Sequence, residues 1–380
     1  MADGGVVSSA DRLSQARKIV VKVGSALLVD PDTGALNRRW LEGLAQDLAG
    51  LRNQGKAVIV VSSGAIALGR GALGMAPGPL SLEASQAAAA VGQTVLVRAW
   101  EEVLSAHGQR TAQLLLTLED TQKRRRYLNG RATLAALLDL GAIPIVNEND
   151  TVATDEIRYG DNDRLAARVA LMADADVTVL LSDVDGLYTA NPRDDGTAQH
   201  IAEVPAITPE IEAMAGGSGS AHAKGGMITK VLAAKTATRG GCAMAVMQGD
   251  VHRPLTALAE GARATWFLPA IQPTAARKQW IAGMKPVGRL IVDAGAVTAL
   301  QSGKSLLPAG VRAVSGTFMR GDPVAIVAED GAAVGAALAS YNAEDARAIA
   351  GVHSDAIAGI LGYPGRSAMV HADDLVIWGK

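Results

Sequence analysis

Two lysines and one acidic loop carry most of the chemistry open to this chain. Lys22 lies in Val20-Val21-Lys22-Val23-Gly24-Ser25, close to the end of a run that is apolar on both faces. A lysine there either snorkels to solvent or meets an anion. Gly24 and Ser25 follow at once, so the backbone can turn tightly and aim N–H groups at the same place, which suits a phosphate oxygen. Lys224-Gly225-Gly226-Met227-Ile228-Thr229-Lys230 runs from a Gly/Ser-rich stretch (216–226) into a helical pattern. Its glycines permit close backbone approach, its helix start offers unpaired N–H donors, and Lys230, one turn inside, can point back along the helix. A flexible loop followed by an exposed helix reads equally well from these residues alone.

Between the two lysines, residues 147–163 form a loop dense in carboxylates and amides, including Asn147, Asp150, Asn162 and Asp163. An apolar run over 142–146 leads into it and a helix-like run over 165–172 leads away. α/β proteins place ligand chemistry in polar loops held at both ends in this way. The donors and acceptors suit a small molecule carrying an ammonium group and carboxylates, although an acidic run is often only a solvated loop. Val61-Ser62-Ser63-Gly64-Ala65 closes a strand and opens a helix, where a hydroxyl and free N–H groups meet an anion or simply cap the helix. Leu181-Ser182-Asp183 leaves another buried strand at its carboxyl end, the edge at which open α/β sheets bind nucleotides.

Two motifs are set aside. Gly50-x4-Gly55-Lys56 is followed by Ala57 instead of Ser or Thr, and it runs from helix to strand, the reverse of a P-loop. Lys123-Arg124-Arg125-Arg126 reads as a solvated helix face.

The elements that must position these residues alternate. Strands are expected at 18–23, 57–61, 111–116, 142–146, 177–181, 243–247 and 265–268. Helices are expected at 38–53, 64–73, 81–107, 125–140, 164–173, 227–239 and 254–260. Runs such as Val58-Ile59-Val60-Val61, apolar on both faces, call for a mainly parallel sheet covered on both sides, a three-layer α/β/α sandwich. Prolines 269, 273 and 286 punctuate a linker or short connecting helix over 269–284. Beyond it, short segments with Gly turns at 288–292, 310–316, 322–328, 332–341 and 374–378, with helices at 294–302 and 355–361, describe a small β-rich domain over 285–380. The organisation expected is a flexible N-terminus (1–16), an α/β domain (17–268), a linker (269–284) and the β-rich domain.

Composition bounds the function. The 380 residues are 49% hydrophobic and 19% charged with a net charge of −2, so a large core forms and bulk attraction to nucleic acid or anionic membrane is absent. The single cysteine, Cys242, excludes a disulfide framework and reads as a core thiol; six scattered His show no ligand spacing. No signal peptide or membrane span is recognised, which points to the cytoplasm.

Taken in order, Lys22-Val23-Gly24-Ser25, Ser62-Ser63-Gly64-Ala65, Asn147-Glu148-Asn149-Asp150, Gly160-Asp161-Asn162-Asp163 and Gly225-Gly226-Met227-x-Thr229-Lys230 resemble the amino acid kinase family. Within it, the pattern is nearest to members that phosphorylate the γ-carboxylate of L-glutamate at the start of proline synthesis. Lys285-Pro286-x-Gly288, Ser305-Leu306-Leu307-Pro308-x-Gly310 and the stretch from His353-Ser354 to Leu361-Gly362-Tyr363 resemble the PUA domain appended to many of these kinases.

The resemblance implies Lys22 and Lys230 on the ATP phosphates and the transferred phosphoryl group, with Asp163 orienting both. It implies Ser63, Gly64, Asp150 and Asn162 at glutamate. Gly24, Ser182, Asp183, Lys224, Gly225, Gly226 and Met227 join the two lysines at the nucleotide, with Mg2+ carried on its phosphates and no protein-built metal site. Ser182 and Lys224 stand where the family commonly has Thr. Proline is implied as a feedback inhibitor acting at or beside the glutamate site, with 154–160 linking Asp150 to Asn162. A homodimer or homotetramer is also implied. Other kinases of the same fold, acting on acetylglutamate, aspartate or UMP, are the alternatives. PUA domains often bind RNA, but eight Lys/Arg against nine Asp/Glu over 285–380 offer no basic stripe, so RNA binding is not expected.

Overall fold

The computed structural model describes residues 7–30, 33–152, 161–216 and 226–378. The chain divides into two compact units, Met1–Pro273 and Thr274–Lys380.

The first unit is built on an eight-stranded sheet. Its strands are β1 (Lys18–Val23), β2 (Ala57–Ser62), β3 (Arg110–Leu116), β4 (Ala142–Glu148), β5 (Val177–Ser182), β8 (Glu203–Val204), β9 (Ala243–Gln248) and β10 (Ala264–Phe267). The order across the sheet is β3-β4-β2-β1-β5-β9-β10-β8. A separate two-stranded ribbon pairs β6 (Leu187–Tyr188) with β7 (His200–Ile201). All neighbours in the large sheet are parallel except β9 and β10. From β1 the chain steps to β2 on one side, and β5 docks on the other. The carboxyl ends of β1 and β5 therefore flank a switch in strand order, where open α/β sheets open a crevice.

Strand alternation sorts β1 between the two outer layers. Ile19, Val21 and Val23 pack with Trp40, Leu44, Leu48 and Trp100 on one side. Val20 packs on the other with Leu165, Ala166, Ala170, Val231 and Ala234, which come from the helices Asp161–Ala173 and Met227–Arg239. Lys22 has the parity of Val20, so the register of one strand aims its side chain at those two helices.

The helices begin where local chemistry allows. Asn37 accepts from Trp40 N at the start of Arg38–Asn53, Ser81 accepts from Ala84 N at the start of Leu82–Ser105, and Thr117 and Asp120 form a reciprocal capping box. Helices Ala65–Ala72 and Leu82–Ser105 approach unusually closely because Gly69 and Gly92 face each other's backbone. A Cβ on Gly92 would stand 1.7 Å from Ala65 O, and one on Gly69 would stand 1.8 Å from Ala88 O. Gly92→Ala is therefore expected to lower stability by roughly 3 kcal/mol, read as a shift in urea midpoint at unchanged m-value. An unshifted midpoint would mean that the helices separate freely.

Residues 1–16 were expected to be flexible. The structure instead folds Ser9–Gln15 into a helix capped by Ser8, which accepts from Asp11 N, and buries Leu13 in the core. The reason is a short amphipathic turn that the polar composition of the segment conceals. Cys242 is buried, as expected, and burial pushes its thiol up to about 12, so it is unreactive.

The second unit carries a five-stranded sheet of β11 (Gly288–Val292), β12 (Val311–Gly316), β13 (Pro323–Ala328), β14 (Ala333–Leu338) and β15 (Leu375–Ile377), in the order β12-β11-β13-β14-β15. Only β11 and β13 run parallel. Leu290, Val292, Phe318, Val324, Ile326, Tyr341 and Met369 form its own core. The stretch between the two sheets contains the helix Pro273–Ala282. No helix among the described residues is long and apolar enough to cross a membrane.

Candidate active site

The centre of the site is a buried carboxylate held by two buried ammonium groups. Lys22 Nζ stands 2.6 Å from Asp163 Oδ1, and Lys230 Nζ stands 3.2 Å from Asp163 Oδ2. Thr229 Oγ1 donates to the same Oδ2 at 3.2 Å and also to Gly226 O at 2.8 Å. Lys22, Asp163 and Lys230 are 8%, 1% and 6% exposed. Three charges this deep persist because the two ammonium groups share one carboxylate as counter-ion. Burial pushes the Asp163 carboxyl up, but Lys22 and Lys230 together outweigh it and hold it below its ordinary value. Two cations against one carboxylate leave a net positive charge at the switch point of the sheet, which is a place for phosphate.

The backbone around this cluster is permissive. Gly24 caps the short helix Ser25–Leu28, and a Cβ there would lie 3.7 Å from Lys22 Nζ. Gly226 caps Met227–Arg239 without any side-chain bond, leaving first-turn N–H groups of that helix for a ligand. Met227 opens that helix, half-buried against the core. Lys224 and Gly225, assigned to the nucleotide by resemblance, lie outside the described residues. So does the 154–160 segment.

A second, neutral cluster sits at the ends of β2 and β4. Asn162 Nδ2 donates to Ser63 Oγ at 2.6 Å and to Asn147 Oδ1 at 3.2 Å, and Asn147 Nδ2 donates to Gln93 Oε1 at 2.8 Å. Asn162 Oδ1 and Gln93 Nε2 are buried and have no hydrogen-bond partner among the described residues. Buried amide groups left open in this way are costly and call for a ligand. Gly64 follows Ser63 with φ at +101°, a left-handed turn that glycine adopts freely, and it opens the helix Ala65–Ala72. Because Asn162 and Asp163 are adjacent, one helix start joins the neutral cluster to the charged one.

Asp150 stands two residues beyond β4. Its carboxylate has no hydrogen bond or ion pair among the described residues, and burial pushes its pKa up from 3.8 to about 6. Ser182 ends β5 and donates to Asp183 Oδ1 at 3.0 Å, with Ser182 buried and Asp183 exposed. The register of β1 and β5 pairs Lys22 with Leu180, so Ser182 leaves the sheet beside the charged cluster.

The structure thus brings together Lys22, Asp163 and Lys230, and separately Ser63, Asn162 and Asn147. It divides the two adjacent serines. Ser62 is fully buried, accepts from Trp100 Nε1 at 3.1 Å and belongs to the core, while Ser63 faces Asn162. Gln93 escaped the sequence reading. Its signal was an amide on an apolar stripe, four residues after Ala89, three before Leu96 and seven before Trp100, all of them buried.

The motifs set aside are structural. Lys56 Nζ donates to Ser14 O at 2.6 Å and Ala16 O at 2.8 Å. In the basic cluster, Lys123 pairs with Glu119 and Arg126 Nη1 lies 3.0 Å from Asp120 Oδ1, both on the surface.

Comparison with known proteins gives the family. Residues 17–248 match the amino acid kinase family and residues 288–361 match the PUA domain. The chain is 63% identical over 365 residues to the glutamate 5-kinase of Dinoroseobacter shibae, covering 96% of this chain and 99% of that protein. It is 64% identical over 365 residues to the glutamate 5-kinase of Jannaschia sp., with the same coverage. Among solved structures, UMP kinase from Bacillus anthracis is similar at 13% identity and a TM-score of 0.47, over 67% of this chain and 97% of that one. The chain belongs to the amino acid kinase family and, within it, groups with the glutamate 5-kinases.

Proposed function

We propose that the chain transfers the γ-phosphoryl group of ATP to the γ-carboxylate of L-glutamate, giving glutamyl 5-phosphate, the first step of proline synthesis. The buried Lys22–Asp163–Lys230 cluster carries this reading. A side-chain carboxylate with an ordinary pKa near 4.3 is already ionised at neutral pH, so no general base is needed. One γ-carboxylate oxygen attacks phosphorus, the bond to the β-phosphate oxygen breaks, and ADP leaves without any proton moving. The reaction then needs in-line positioning and cations around the equatorial oxygens. Lys22 comes from the first strand and Lys230 from a helix start on the far side of the switch point. Asp163 fixes both ammonium groups in place.

Gly24, Ser182, Asp183, Gly226 and Met227, with Lys224 and Gly225, form the nucleotide side. Mg2+ would arrive on the ATP phosphates, where it screens their charge. Asp163 does not fit a metal ligand because both of its oxygens face lysines. On the substrate side, the open Asn162 Oδ1 and the Asp150 carboxylate suit the ammonium group of glutamate. The Ser63 hydroxyl and Gln93 Nε2 are donors for a carboxylate.

Incubation with ATP and Mg2+ in the presence of hydroxylamine tests the acceptor. Glutamate is expected to yield a hydroxamate, with acetylglutamate and aspartate at background; ADP release tests UMP. A hydroxamate from acetylglutamate or aspartate in preference to glutamate would move the chain to another branch of the fold. Proline is expected to shift the glutamate saturation curve to the right, and an unmoved curve would remove feedback from the account. A homodimer or homotetramer is expected by sedimentation.

Asp150 adds a pH signature. The free carboxyl titrates at about 6, so its grip on an ammonium weakens as pH falls from 7 to 5. The KM for glutamate is expected to rise about tenfold over that range with kcat little changed, while Asp150→Asn has a high KM that stays flat. Stability moves oppositely. A folded-state pKa raised from 3.8 to about 6 favours the fold fully below 3.8 and loses that contribution as pH rises through about 6. At pH 7 the ionised Asp150 therefore strains the fold, and Asp150→Asn is expected to raise stability by on the order of 2 kcal/mol. Equal KM values in the two proteins, or a less stable Asn variant, would remove Asp150 from the ammonium site.

A further inference from the structure

The second unit contains a cleft of about 210 Å3, lined by several polar side chains, that the phosphoryl-transfer chemistry does not use. Arg320, Ser340, Tyr341, Asp345, Tyr363 and Arg366 are among the residues that line it. Among the described residues, neither the Arg320 nor the Arg366 guanidinium makes a hydrogen bond or an ion pair. Three other arginines of this unit have partners. Arg277 pairs with Asp374, Arg312 Nη2 lies 3.0 Å from Asp293 Oδ2, and Arg347 donates to Gly316 O.

We propose that this cleft binds a tetrahedral oxyanion, a free phosphate or the phosphate group of a small monoester, between Arg320 and Arg366. The carboxylates near the cleft are already engaged. Asp345 Oδ2 accepts from Tyr363 Oη at 2.7 Å and from Asn342 Nδ2 at 3.0 Å, and Asp374 is held by Arg277. Two guanidiniums against Asp345 leave one positive charge facing the opening. Burial and the neighbouring Arg320 both disfavour the charged form of Arg366, a repulsion that a shared anion relieves. Guanidinium forks match a phosphate bidentately, and the hydroxyl of Ser340, which lines the cleft, supplies a third donor.

The scaffold under the anion is rigid. Tyr341 Oη donates to Arg366 O, and a Cβ on Gly365 would stand 2.5 Å from that same Tyr341 oxygen. The loop carrying Arg366 therefore lies directly on the tyrosine. The charge of the unit limits the ligand to something small. Eight Lys/Arg against nine Asp/Glu over 285–380 provide one cationic notch and no stripe for a polyanion.

The test is equilibrium dialysis of inorganic phosphate, and separately of AMP, against the full chain, with Arg320→Gln and R320Q/R366Q as comparisons. Arg320 is exposed, so its replacement leaves the fold intact. Wild-type protein is expected to bind one more phosphate per chain than R320Q/R366Q, and Arg320→Gln alone is expected to weaken that site about tenfold. Turnover with glutamate and ATP should be the same in all three. For the binding that R320Q/R366Q removes, tighter AMP than phosphate would identify a nucleotide as the source, and equal binding the free anion. Identical phosphate stoichiometry and affinity in wild type and both variants would overturn the proposal.

Discussion

Lys230→Ala is expected to lower kcat by about 10³-fold, with the fold intact and the KM for glutamate changed little. Removing one preorganised donor to a developing charge costs roughly 10² to 10³ in rate, and a buried ammonium on the transferred group belongs at the upper end. The groups proposed to hold glutamate, Ser63, Asn162 and Asp150, do not depend on Lys230, so glutamate binding is expected to survive. The fold survives because Asp163 keeps Lys22 at 2.6 Å as its counter-ion. Lys22→Ala is expected to give a loss of the same order, and the double variant should be little worse than either single one, since both lysines act on one group. Steady-state ADP release, with far-UV circular dichroism as a folding control, measures this. Turnover within tenfold of wild type in either folded variant would contradict the role of the cluster.

Asp163→Asn has the second large effect, and it differs in kind. It leaves two ammonium groups buried side by side without a counter-charge. Breaking a buried ionic group by removing one partner costs roughly 3–5 kcal/mol. A fall in stability of that size is expected together with a loss of at least 10² in kcat. The two effects separate on adding an anion: ADP should raise the melting temperature of Asp163→Asn more than that of wild type, because its phosphates replace the missing charge. The wild-type pH dependence follows the same logic. The Asp163 carboxyl is held below 3.8, so its contribution is present above 3.8 and is lost as pH falls through its lowered value. A variant as stable as wild type, or one that ADP stabilises less, would show that the carboxylate is not what holds the lysines.

Much of this arrangement is visible in the chain before it is folded. The main strands of the first sheet fall within about two residues of their expected positions, because four or more β-branched and aliphatic residues in a row have few other uses in an α/β domain. The pairs Leu187–Tyr188, His200–Ile201 and Glu203–Val204 are not visible, since two residues carry no period. Helix Ala343–Ile349 was also missed, although Asn342, which accepts from Asp345 N, announces its start. At the site, a lysine in a doubly apolar strand marked Lys22, and the glycines before it marked Lys230.

What sequence spacing could not settle was pairing across distance. Ser62 and Ser63 differ only in parity until Trp100 is found donating to the first. Gln93 looks like one polar residue in an alanine-rich helix until Asn147 is found beside it. The raised pKa of Asp150 is a property of burial, which no local pattern carries.

Direct attack of the glutamate γ-carboxylate on the γ-phosphorus beside Lys22 and Lys230, as proposed, can be followed by isotope transfer. Glutamate labelled with 18O in its γ-carboxylate is incubated with ATP, Mg2+ and hydroxylamine. If the acyl phosphate forms, its bridging oxygen comes from glutamate, and hydroxylamine attack at the carbonyl carbon releases that oxygen on phosphate. One labelled oxygen is expected in each phosphate released, with one phosphate per hydroxamate and no labelled phosphate from Lys230→Ala above background. Unlabelled phosphate, or ADP formed without hydroxamate, would contradict it.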